Sequence, residues 1–282
     1  MDTFRLENAR ACHGLFRDDA MTRSVTSKQL LRLRSDLTDR DWQIISTLAR
    51  VRLATSAQLE VLYFAEVTRR RAQQRLAILT ARRVLCRLPR VIGGARAGSR
   101  GHVYGLDAAG QRLADLARGG RPRPPRPIGA PYVDHVLTIS GTFVSLLLAE
   151  RAGVLRVQRF TSEPGAWRSF HGAGGGRVTL KPDAYAVLAV DGFEDHWFLE
   201  LDMGTESGAT LARKLGTYRG YWQSGTEQAR LDVFPKVLWL VRDAGRATIM
   251  AKVIARQPPE VRSLFVVALQ DAAGARLRQG AA

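Results

Sequence analysis

Residues 180–222 decide the fold: LKPDAYAVLAV (180–190), HWFLELDMGTES (196–207) and ARKLGTYRGYW (212–222). Two apolar runs carry acids and are followed by a helical pattern. Side chains alternate along a strand, so Glu200 and Asp202 share one face while Leu199 and Leu201 take the other. Pairing of residues 178–190 beside this run would add Asp183, making three carboxylates at one end of a sheet with a helix behind. Such an oxygen cluster suits a hard divalent cation, Mg2+ or Mn2+. Ordinary polar strand ends give the same spacing.

Working outward, the second half reads as helix 133–151, strands 155–160, 178–190 and 196–202, helix 206–222, strand 236–241, helix 246–256 and strand 264–269. This order predicts a mixed α/β sheet. The glycine run in HGAGGGR lacks the Gly-Lys-Ser/Thr of a phosphate loop and is expected to be a hairpin tip or lid.

In the first half, Thr38 is placed to cap a helix with Asp39 and Asp41 in its first turn and Trp42, Ile45, Leu48 and Ala49 at helical spacing. A second helix starts near Thr55. Thr68 caps a third, with Leu76, Leu79 and Val84 inward and Arg69, Arg70, Arg71, Gln73, Gln74 and Arg75 around the other side. Two short apolar runs then flank GGARAGSRG, a hairpin tip carrying Arg96 and Arg100. Three helices followed by a basic hairpin predict a winged helix-turn-helix. The expected division is a basic extension (1–36), a winged helix-turn-helix DNA-binding domain (37–118), a Pro/Arg/Gly linker (119–131) and the mixed-sheet domain (132–282).

The chain of 282 residues has a net charge of +17. Residues 1–131 hold 25 basic against 11 acidic side chains, and residues 132–282 hold 18 against 15. The asymmetry points to a polyanionic partner, duplex DNA, met by the first half. The apolar run 133–149 is interrupted by polar residues and too short for a bilayer, and no lipidation or signal sequence is recognisable, so a cytoplasmic bacterial protein is expected. Cys12 and Cys86 lack ligand-spaced companions, which argues against zinc and a disulfide framework.

Pro182-Asp183, Glu200-Leu201-Asp202 and the helix with Lys214 and Tyr218 resemble the PD-(D/E)XK nuclease-like core as it occurs in the replication-relaxation family of plasmid-associated proteins. The resemblance spans about residues 37–267, including the winged-helix half. It implies a DNA-binding protein of plasmid or mobile-element replication or mobilisation, with Asp183 and Glu200 as metal ligands. Asp202 would be a third ligand or a supporting carboxylate. In the nuclease superfamily a Lys two residues after the Glu positions or activates water; here Asp202 stands there.

Lys214 is the preferred substitute and Lys181 the next, so Asp183, Glu200 and Lys214 form the candidate catalytic set of a Mg2+-dependent endodeoxyribonuclease. The alternatives are a non-catalytic accessory factor, its nuclease-like domain a scaffold, or a transcriptional regulator. Expected partners are double-stranded DNA and a relaxase or replication protein, with a homodimer also admitted. Glu150 and His135 are further candidates near the cluster; Tyr218 and Tyr221 are read as core or as a nucleic-acid face.

Overall fold

In the computed structural model the described residues are 25–88, 101–121, 128–129 and 132–280. The chain divides into two compact units, residues 1–141 and 142–282.

In the first unit threonines start four of the helices, and Asp107 caps the helix that opens at Ala108. Thr26, Thr38 and Thr55 each accept a hydrogen bond from the backbone N–H three residues on, and the side chains of Gln29, Asp41 and Gln58 accept from the threonine N–H groups in return. These reciprocal caps satisfy donors a helix leaves open at its start. They open α1 (Ser27–Asp36), α2 (Asp39–Val51) and, after strand β1 (Leu53–Thr55), α3 (Ser56–Tyr63). Thr68 caps α4 (Arg69–Ala81), which leads into β2 (Leu85–Arg87), β3 (Val103–Leu106) and α5 (Ala108–Ala117).

The strands form an antiparallel sheet in the order β1-β3-β2, with Leu53 opposite Gly105 and Leu85 opposite Leu106. Ile44, Ile45, Leu48, Leu59, Leu76, Leu79 and Val84 pack the core between helices and sheet. At Gly110 of α5 an added Cβ would lie 2.1 Å from the Val84 carbonyl oxygen, so only glycine permits this approach. β1 departs from the sequence expectation; at three residues it is too short to show a period of its own. Arg96 and Arg100 of the expected hairpin tip lie outside the described residues, as do 1–24 of the basic extension and 122–127 and 130–131 of the expected linker.

Helix α6 (Val133–Arg151) contains the division between the units. In the first unit its Val133, Val136 and Leu137 pack with Leu53, Leu88 and Ile128, and Ser140 Oγ donates to the Leu53 carbonyl at 2.6 Å. Among the described residues α6 alone is long and apolar enough to cross a membrane by length and composition, and 50% of its apolar window is buried within the fold.

The second unit continues with β4 (Arg156–Ser162), β5 (Arg168–His171), β6 (Arg177–Leu180), β7 (Ala184–Val190), β8 (Phe193–Asp202) and α7 (Gly208–Gln223). There follow α8 (Gln228–Leu231), β9 (Lys236–Val241), α9 (Ala244–Ala255), α10 (Pro259–Arg262), β10 (Phe265–Leu269) and α11 (Ala273–Arg278). The fold is mixed α+β, with a five-stranded mixed sheet ordered β10-β9-β8-β7-β4. β8, β9 and β10 run parallel, while β7 is antiparallel to both β8 and β4. One face of the sheet, through Phe198, Trp239 and Val241, packs on Leu211, Leu215 and Tyr218 of α7 and Met250 of α9.

The single strand expected over residues 178–190 is two. Lys181, Pro182 and Asp183 separate β6 from β7. Proline has no N–H for a ladder. Upstream of it the chain pairs with β5 in a separate two-stranded sheet; the glycine run is the tip of this hairpin, while β5 itself falls where the sequence order places no strand. The tip closes through Gly172 N–H to the Gly176 carbonyl at 2.9 Å.

Candidate functional site

The β7–β8 register builds the center of the site. Ala184 pairs with Leu199, and the Asp183 N–H donates to the Leu199 carbonyl at 3.1 Å, so Asp183 comes beside Glu200. Cross-strand neighbours in an antiparallel pair stand about 5 Å apart and share a face. Asp183 is held in place by the Leu201 N–H, which donates to its Oδ2 at 2.7 Å. Glu200 is only 2% exposed. An apolar strand covered by helices thus carries a carboxylate into the interior.

Two residues of α7 reach Glu200 from above. Tyr218 Oη donates to its Oε1 at 2.6 Å, and Lys214 Nζ lies 3.5 Å from Oε2. Among the described residues that buried Oε2 has no hydrogen-bond partner. Burial, then the negative charge of Asp183, push the Glu200 carboxyl up to about 8, against the opposing pull of Lys214 and the Tyr218 hydrogen bond. Burial would lower the Lys214 ammonium, but the Glu200 and Glu206 carboxylates outweigh it and raise it. Burial and the adjacent Glu200 carboxylate raise the Tyr218 phenol, which acts as a donor and keeps its proton.

Glu206 is a site residue that sequence reasoning misses. Its Oε1 lies 2.9 Å from Lys214 Nζ, so Lys214 bridges two carboxylates. The only sequence signal is an acid just before Ser207, the N-cap of α7. The contact depends on how the connection after β8 folds back.

Asp202 does not join Asp183 and Glu200, and its expected metal-ligand role is corrected on this geometry. Arg246, in the first turn of α9, grips it with two donors, Nε to Oδ2 at 2.6 Å and Nη2 to Oδ1 at 3.1 Å, and the Gly204 N–H donates to Oδ1 at 2.8 Å. Three of the roughly four lone-pair sites of the carboxylate are directed at these donors, and the positive charge of Arg246 opposes a second cation there. Lys181 also departs from the cluster, its ammonium lying 4.9 Å from the Trp167 ring center. Glu150 Oε1 accepts from the Val157 N–H at 2.8 Å, fixing the start of β4 instead of approaching the site. His135 lies on the part of α6 that belongs to the first unit. Tyr218 and Tyr221 are each 1% exposed, which assigns them to the core.

A metal would therefore have to be held by two carboxylates. Among the described residues no group of three or more His, Cys, Asp or Glu is arranged to hold one. Mg2+ retains several waters and is commonly held by one or two carboxylates together with substrate phosphates. Asp183 and Glu200, with the unpartnered Oε2, fit that donor set.

In the first unit, α4 sorts the expected DNA contacts by angle, at 100° per residue. Ala72, Leu76 and Leu79 are buried, and Arg70, Gln73 and Gln74 are exposed on other faces. Arg69 lies on one flank with Nε 3.7 Å from Glu60. Arg71 lies on the other, lining a recess with Thr38, Arg40, Asp41, Phe64, Val67 and Arg75.

Arg75, expected with the DNA contacts, is instead paired through two donors to the fully buried Asp41, one being Nε to Oδ1 at 2.9 Å. Burial alone would raise the Asp41 carboxyl, but hydrogen bonds from Arg75 and Thr38 hold it below its ordinary value. Arg75 therefore ties α4 to the first turn of α2.

The replication-relaxation family model matches residues 45–237. The match runs from within α2 into β9, narrower than the 37–267 expected, and includes Asp183, Glu200 and Lys214. No curated protein and no solved structure matches the chain. A family match over well more than half of the 282 residues, taking in the motif residues that carry the resemblance, settles the affiliation: the chain belongs to the replication-relaxation family.

Proposed function

We propose that this protein binds duplex DNA in replication or mobilisation of a plasmid or mobile element, and that its second unit is a PD-(D/E)XK-like domain acting on that DNA. The first unit is read as a winged helix. Support comes from the order α2, β1, α3, α4, β2, β3 and the sheet order β1-β3-β2, with the exposed side of α4 carrying Arg70, Gln73 and Gln74. Guanidinium and amide groups on such a helix suit phosphates and base edges. Triple replacement Arg69→Ala/Arg70→Ala/Arg71→Ala should weaken duplex binding at least about tenfold and flatten its salt dependence by about 0.9 for each phosphate no longer neutralised. Wild-type affinity in that variant, measured by fluorescence anisotropy across a salt series, would move the interface off α4.

The single observation carrying the second half of the reading is the buried Oε2 of Glu200, unpartnered among the described residues and 3.5 Å from Lys214. Asp183 and Glu200 would hold Mg2+ or Mn2+. A bound ion supplies Lewis-acid polarisation of a phosphodiester and a more acidic water. Tyr218 fixes one Glu200 oxygen, leaving the other directed at the site. Lys214, held by Glu206, offers a cation from the helix where the family motif would place a lysine on the strand.

Incubation with supercoiled plasmid tests this. Nicking with Mg2+ or Mn2+, absent in EDTA, should be lost in Asp183→Ala and Glu200→Ala while duplex affinity stays at the wild-type level. Cation should also raise the Tm of the wild type and of neither variant.

A second reading, a non-catalytic scaffold for DNA or for a relaxase, is favoured by Asp202, which occupies the motif lysine position and is taken up by Arg246. Absence of both nicking and a cation-dependent Tm rise selects it.

A further inference from the structure

We propose that the recess between the start of α2 and the start of α4 is a phosphate site, with Arg40 and Arg71 as its ligands and Arg75 as its support. Thr38, Arg40, Asp41, Phe64, Val67, Arg71 and Arg75 line one concave surface. Three arginines and a single acid line it, and that acid is already matched: Asp41 is buried and bonded by Arg75 and by Thr38. Arg75 and Asp41 cancel, so the charge the recess offers is that of Arg40 and Arg71. Arg40 is backed by an aromatic wall, its guanidinium carbon 5.2 Å from the center of the Phe64 ring. Stacking on a ring leaves the edge N–H donors of the guanidinium available, and these donors match phosphate oxygens in pairs.

Two cations held in one concavity beside Thr38 form a better seat for an anion than the same charges on an open helix face. The ligand chemistry is a phosphate ester. It can come from the backbone of duplex DNA, as the function proposed above would have it, or from a free phosphate or nucleotide. In the first case Arg40 of α2 extends the contact beyond α4, clamping a phosphate on the flank of the helix that presents Arg70 and Gln74. This inference rests on the DNA-binding reading only for the source of the phosphate.

The test uses the full chain and the variants Arg40→Gln and Arg71→Gln, with Arg256→Gln in the second unit as a charge-matched control and circular dichroism to verify folding. Binding of a fluorescent duplex is followed across a salt series, and inorganic phosphate and ATP are titrated by calorimetry. Expected are a five- to thirtyfold loss of duplex affinity in each recess variant, a salt slope lower by about one, and no loss in the control. Arg40→Lys should recover only part of the affinity, because an ammonium lacks the paired donors.

If the wild type binds no duplex but takes up phosphate or ATP in a manner that Arg40→Gln removes, the recess stands and the DNA reading falls. If the wild type binds duplex and Arg40→Gln and Arg71→Gln bind it with unchanged affinity and slope, the recess assignment is overturned while the DNA reading survives on α4. No binding of either probe overturns both.

Discussion

Arg246→Met should lower the stability of the second unit by about 3–5 kcal/mol in urea denaturation at neutral pH, because it strips a buried carboxylate of its counter-charge. The Asp202 side chain is 0% exposed and that of Arg246 10%. With the guanidinium gone, the Asp202 carboxylate keeps the Gly204 N–H as its donor and cannot move into water without pulling β8 out of register. The same guanidinium donates to the Glu206 carbonyl at 2.8 Å. Its removal should therefore also loosen the connection that presents Glu206 to Lys214.

The paired variant Asp202→Leu/Arg246→Met separates the cost of the stranded charge from the value of the pair. Apolar replacement of a whole buried pair is often neutral or stabilising, so the double variant should regain most of what the single one loses. A loss below about 1 kcal/mol for Arg246→Met alone would mean that Asp202 is hydrated, contrary to this geometry.

The second large effect is on the pH profile of stability. In EDTA, Glu200→Gln should become progressively more stable than the wild type as pH rises from about 5 to 9. The folded protein holds the Glu200 proton up to about 8, whereas the ordinary carboxyl value is 4.5. A raised folded value means that its contribution is fully present below 4.5 and is lost as pH rises through the folded value of about 8. At about 1.4 kcal/mol per pH unit, the wild type should lose several kcal/mol relative to the variant, which has nothing to ionise and still accepts from Tyr218.

Above pH 8 the ionised Glu200 faces Asp183 in the interior. Added Mg2+ or Mn2+ should then restore the wild type and leave Glu200→Gln unchanged. Thermal melts at pH 5, 7 and 9 suffice. Parallel profiles for the two proteins would show that burial and Asp183 do not burden Glu200 in this way.

The residues that encode local structure are readable along the chain. Thr38, Thr55 and Thr68 start their helices because a cap requires only a side-chain oxygen and a nearby N–H. Leu76 and Leu79 point inward because of the helical period, and the strict alternation of β8 puts Glu200 and Asp202 on one face. Proximity of Asp183 to Glu200 is legible only on condition that the two runs pair; the register that sets Ala184 opposite Leu199 comes from the fold. The motif residues carry the resemblance to the family whose model matches residues 45–237.

Tertiary structure decided which of these charges are spent on the fold. Glu200 and Asp202 look equivalent on the strand. Glu200 keeps an oxygen without a hydrogen-bond partner among the described residues, near a lysine, and Asp202 is sealed by Arg246, 44 residues away. Arg71 and Arg75 are likewise one turn apart on α4, yet Arg75 is tied to Asp41, 34 residues back, and Arg71 lines the recess. Periodicity assigns a side chain to a face through its own backbone. The ion pair that removes a charge depends on a partner delivered by another element, and its strength depends on burial, which only the packed chain establishes.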